Sequence, residues 1–82
     1  MKLPRDINAR ELVSALRSVG YEPLRQSGSH IRLVSQQDGQ HHITVPNHNP
    51  IKLGTLRGIL KVVAVRQKVS LDELLLKLGL WR

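Results

Sequence analysis

Two short stretches of this chain alternate in phase, and that alternation demands a sheet with one apolar face. Over 29–35, Ile31 and Leu33 fall on one side while His30 and Arg32 fall on the other. Over 41–45, Ile43 and Val45 take the apolar side, and His42 and Thr44 share the opposite one. Asp38-Gly39 between them is a turn signal. Matching the apolar faces pairs Leu33 with Ile43 and Ile31 with Val45, because a one-residue slip would turn every apolar side chain to water. Pro46 then falls beside His30, and the Asn47-His48-Asn49 loop leaves the sheet close to it.

A third strand is expected over 22–26, turned back by Ser27-Gly28. A two-residue turn there pairs Gln26 with Ser29, Arg25 with His30, and Leu24 with Ile31 on the core face. Ahead of the strands, 8–19 reads as a helix. Asn8 is its N-cap, Glu11 the capping-box partner, Ile7 and Leu12 the staple, and Gly20 the stop. Leu12, Val13, Leu16 and Val19 form its apolar face. After the strands a helix begins near Leu53 or Gly54, with Leu56, Ile59, Leu60 and Val63 as its buried stripe. Val62 to Lys68 holds no glycine, so this helix is expected to run on. A final helix starts at Ser70, capped with Glu73, and buries Leu71, Leu74, Leu75 and Leu78. Gly79 ends it. Tyr21 and Trp81 sit at helix ends as packing groups. The order is helix, three-stranded antiparallel sheet, helix, then a C-terminal helix: an α+β domain spanning 1–82. So few helices cannot cover both sheet faces, so the His30 face is expected to stay open.

With 82 residues the chain is one small domain, burying only a little over roughly 60% of its unfolded surface. It has no cysteine, which rules out disulfides and thiolate metal sites and fits a reducing cytoplasm. No apolar run approaches the about 18 residues of a membrane span, and the residues after the start do not resemble a signal peptide. Thirteen Lys and Arg against six Asp and Glu leave a net charge of +7. No acidic residue lies between Asp38 and Asp72, where Lys52, Arg57, Lys61, Arg66 and Lys68 fall. Such a balance favours a polyanion partner. With one Tyr, one Trp and no Phe, base stacking is disfavoured, and contact with phosphate and sugar is the natural mode.

The Arg25 to Val34 stretch sets one imidazole between two guanidinium groups. Carboxylates that would hold Mg²⁺ are missing near His30, so metal-activated hydrolysis of DNA is not suggested. RNA carries its own nucleophile, the 2′-OH, already tethered to the phosphate. A protein then needs a proton acceptor, a proton donor and charge stabilisation. His30 can take the 2′-OH proton, while Arg25 and Arg32 hold the phosphate. His48 or His42 can protonate the leaving 5′-oxygen, as can solvent. Backbone N–H groups at Gly54-Thr55 can meet a phosphate, with Lys52, Arg57 and Lys61 nearby in sequence. Ser29 points away from His30, so the two do not form a dyad. Gly28 is a turn residue. His30, His41, His42 and His48 lack zinc-ligand spacing, and no metal or other cofactor is expected.

These residues resemble the HicA toxin family of small mRNA-cleaving proteins. The resemblance rests on Gly20-Tyr21, Gly28-Ser29-His30, Val45-Pro46-Asn47-His48 and the run Gly54-Thr55-Leu56-Arg57-Gly58-Ile59-Leu60-Lys61, spanning about 7–63. It departs at Ile31, where the family commonly has a second histidine, and in the longer Val62 to Lys68 segment. The resemblance implies a double-stranded-RNA-binding-domain-like fold and a metal-independent endoribonuclease with His30 essential. It implies a HicB-like antitoxin that covers the active surface, and operator DNA reached only through that antitoxin. Gly28, Ser29, Arg25, Arg32, Lys52, Thr55, Arg57 and Lys61 are then the RNA-binding candidates. The alternative is a basic RNA-binding module that does not cut.

Overall fold

The structure is a computed structural model, and it describes residues 3–37 and 39–80. Asp38 of the expected turn and Trp81 lie outside the described residues. The elements are α1 (Ala9–Arg17), β1 (Glu22–Ser27), β2 (His30–Ser35), β3 (His41–Pro46), α2 (Leu53–Gln67) and α3 (Leu71–Leu78). The sheet is antiparallel in the order β1-β2-β3. This is the expected α+β order, consistent with a double-stranded-RNA-binding-domain-like arrangement.

Local chemistry sets the helix ends. Asn8 accepts from the Glu11 N–H at 2.8 Å, and Glu11 accepts from the Asn8 N–H at 3.0 Å. Gly20, at φ +100°, lets the Tyr21 N–H reach back to the Leu16 carbonyl at 3.1 Å and closes the last turn. Helix α2 does run on, as far as Gln67, and Lys68 caps it in the left-handed region at φ 59°. Ser70 and Glu73 form the second capping box, and Gly79 ends α3 at φ 71°.

The helices and one sheet face share a core. Ile7, Leu12, Leu16, Tyr21, Leu33, Val45, Leu56, Leu60, Val63, Leu74 and Leu75 are essentially inaccessible, and Ile43 is nearly so. Each such aliphatic side chain contributes about 1.5–3 kcal/mol of burial free energy. The molecule measures 32 × 30 × 18 Å, the thin slab that one sheet layer and one helix layer make.

The β2–β3 register is as expected: Leu33 opposes Ile43, Ile31 opposes Val45, and His30 opposes Pro46. The β1–β2 register is not. Ser27 opposes His30, Gln26 opposes Ile31, and Arg25 opposes Arg32. The turn is therefore Gly28-Ser29, not Ser27-Gly28. Gly28 has φ +58°, the left-handed conformation needed at the first central position of a type II′ hairpin turn. The irregularity between Pro23 and Arg25 leaves Leu24 as an extra residue, 54% exposed. Leu24 thus does not meet Ile31 in the core, because a bulged residue drops out of the pairing.

Candidate active site

Strand alternation lays His30, Arg32 and Val34 of β2 on the sheet face away from the core. Opposite them stand Pro46, Thr44 and His42 of β3, and Ser27 and Arg25 of β1 face His30 and Arg32. Arg25, Ser27, His30, Arg32 and Thr44 line a hollow of about 340 Å³ on this face. All five are exposed. The open face expected of so few helices is therefore present, and one imidazole stands in it with two guanidinium groups. Arg32 Nε donates to His42 Nδ1 at a long 3.4 Å, which leans that guanidinium along the strand pair. His42 thereby acts on the orientation of Arg32.

Ser27 and Thr44 were not singled out as site residues by sequence. Ser27 enters only through the corrected register, so the signal for it was the glycine's place in the turn. Thr44 was visible as a residue of the His30 face.

The turn and the loop after β3 are tied together. The Asn47 N–H donates to the Ser29 carbonyl at 2.6 Å, and the Ala9 N–H donates to the His48 carbonyl at 3.3 Å. The loop thus passes beside the Gly28-Ser29 rim and on to the start of α1. His48 is exposed there, but it does not line the His30 hollow. Lys52, Thr55, Arg57 and Lys61 are also exposed. Lys52 precedes α2 and the other three lie on it; its buried side faces the core beneath the sheet, and none of the four lines the hollow. Lys52 is the N-cap of α2 with no side-chain cap hydrogen bond, and the first turn holds no acid.

His41 faces the other way. Its ring meets Tyr21 edge-on, with centroids 5.9 Å apart. Its Nε2 and the Tyr21 hydroxyl are buried without a hydrogen-bond partner among the described residues. Burial, then the charges of Arg66 and His42, hold His41 below the ordinary histidine pKa. Burial raises Tyr21, against the pull of Arg66. Arg66 itself donates to the Gln37 and Gly39 carbonyls at 3.1 and 3.2 Å, and so fastens the β2–β3 connection to α2. Among the described residues no three His, Cys, Asp or Glu side chains gather as a metal site. Nor is any helix among them long and apolar enough to cross a membrane.

Residues 9–65 match the family model described as the HicA toxin of bacterial toxin–antitoxin systems. The chain belongs to the HicA toxin family. No curated protein and no solved structure matches it. The matched segment begins with α1, contains the whole sheet with its basic hollow, and ends within α2. Helix α3 lies beyond the segment, although Leu74 and Leu75 complete the core.

Proposed function

We propose that this HicA-family toxin is an endoribonuclease that cuts mRNA in the hollow on the open sheet face. The observation that carries the reading is the placement of His30 with Arg25 and Arg32 in one exposed concavity. Arg25 and Arg32 oppose each other across β1 and β2, where they can hold two oxygens of one phosphodiester. His30 accepts the proton of the 2′-OH, and the 2′-oxygen bonds to phosphorus. The bond from phosphorus to the 5′-oxygen breaks, and that oxygen takes a proton from solvent. The products are a cyclic phosphate and a free 5′-hydroxyl, and no metal takes part. Gly28 and Ser29 at the rim, with Lys52 and Thr55 at the start of α2, contact further phosphates of a long strand. Such a chain acts in the cytoplasm, where a HicB-like antitoxin neutralises it and carries it to operator DNA.

The deciding experiment is digestion of an unstructured mRNA with EDTA present. The wild type should cut, and His30→Ala should lose about 10²- to 10⁴-fold in rate while keeping its circular dichroism and melting midpoint. A mutant that cuts at the wild-type rate removes His30 from catalysis. A wild type that binds RNA without cutting it makes the chain a binding module.

A further inference from the structure

Helix α2 carries two apolar stripes, and the core uses only one of them. Leu56, Leu60 and Val63, at i, i+4 and i+7, are buried. Gly54, Gly58, Val62 and Val65, at i, i+4, i+8 and i+11, are all exposed. At 3.6 residues per turn they share one side of the helix, away from the core. Val65 is 76% exposed and Val62 46%, although valine is neither a good helix former nor a good neighbour for water. The two glycines are equally out of place in a helix. A Cβ on either would meet nothing within 4 Å, and neither has a left-handed φ. Nothing among the described residues requires them.

Val62 and Val65, with Lys61 and Arg66 beside them, line a second hollow of about 290 Å³. Along one edge of the stripe run Arg57, Lys61 and Lys68, at i, i+4 and i+11 and all exposed. The segment between Asp38 and Asp72 that carries them holds no acidic residue.

We infer that this side of α2 docks an acidic, amphipathic helix of a partner protein. Its apolar ridge seats on Gly58, Val62 and Val65, and its carboxylates run along Arg57, Lys61 and Lys68. The bare glycine lets the partner's backbone come close. Charge selects this occupant. A second copy of the chain, at net +7, would set one row of cations against another. An RNA strand would use the cations and leave the valines without an apolar neighbour. The inference deepens the partner half of the proposal above and does not depend on the chemistry of His30, which lies on the far side of the sheet. Docking here leaves the basic hollow free for RNA or for another segment of the same partner.

The test is an amide-resolved NMR titration of the full chain with three probes. They are a synthetic amphipathic Leu/Glu helix, its Leu/Lys counterpart and a short single-stranded RNA. The Leu/Glu peptide should shift the amides of Gly58, Val62 and Val65 saturably and bind more weakly as salt rises. Val65→Asp should weaken it about tenfold or more, with the remaining spectrum and RNA cleavage unchanged. Equal binding of the Leu/Lys peptide overturns the inference, as do shifts centred elsewhere or no shifts at all. So do RNA-induced shifts centred on these residues, or their concentration dependence without peptide, which would make the occupant a second copy. A wild type that fails to cut RNA would sink the nuclease reading and leave this titration standing.

Discussion

His30 and His41 stand on strands of one small sheet and have opposite fates, because alternation sends them to opposite faces. His30 is exposed beside Arg25 and Arg32. Replacing Arg32 with alanine should slow RNA cleavage about 10²- to 10³-fold, the usual effect of losing one group that stabilises transition-state charge. Arg32→Lys should recover only part of it, since an ammonium cannot offer the planar fork; single-turnover rates would measure both. His41, packed on Tyr21, is held below the ordinary value of 6.5 by burial and by Arg66 and His42. Its neutral form is the one that suits the fold, so the unfolded chain binds its proton first as pH falls. The stability due to neutral His41 is complete above about pH 6.5 and drains away as pH drops through the depressed native-state value. Urea midpoints between pH 8 and pH 5, on the order of a two-step series, should fall for the wild type and fall less for His41→Phe. Parallel curves for the two proteins would remove His41 from the acid response.

At the scale of elements, the helix caps and the hairpin turn carry testable weight. Ser70 accepts from the Glu73 N–H at 3.1 Å, and α3 has only eight residues. Ser70→Ala should therefore cost about 1 kcal/mol, read as a lower denaturation midpoint with an unchanged slope. Gly58→Ala should act in the other direction. Its Cβ enters open space in a helical residue, so thermal stability should rise by about 0.5–1 kcal/mol. An unchanged or lower midpoint would show that the glycine serves the fold after all. The Gly28-Ser29 turn has a different kind of weight. By taking φ +58°, Gly28 decides which β1 residues face His30, and so puts Ser27 and Arg25 in the hollow.

For the molecule as a whole, a thin slab of this size has little stability in reserve. Leu60 is inaccessible at the centre of the α2 contact with the core. Leu60→Ala should cost about 2–5 kcal/mol, a large share of the about 5–15 kcal/mol typical of a native domain. Calorimetry would read this as a sharply lowered melting temperature or as no transition. The net charge of +7 makes the second whole-molecule prediction. With about three to five phosphate contacts, RNA affinity should fall roughly ten- to a hundredfold between about 50 and 200 mM salt. A flat response in a filter-binding series would remove the phosphate contacts from the proposal.

Much of this was legible in the chain because it rests on local chemistry. Asn8 with Glu11 and Ser70 with Glu73 announce helix starts through bonds that span three residues. The period-two pattern of Ile31, Leu33, Ile43 and Val45 leaves one register that buries all four, and β2 and β3 take it. The exposed setting of His30 followed from the same pattern. Tertiary structure alone decided what depends on one residue's φ or on which elements meet. It moved the turn to Gly28-Ser29, pushed Leu24 out of the pairing, and brought Ser27 to His30. It also kept His48, Lys52 and the basic side of α2 out of the hollow that His30 occupies, and left Val62 and Val65 facing water. A periodic pattern specifies which side of an element is apolar. Only packing in three dimensions determines which apolar sides find a partner within the same chain.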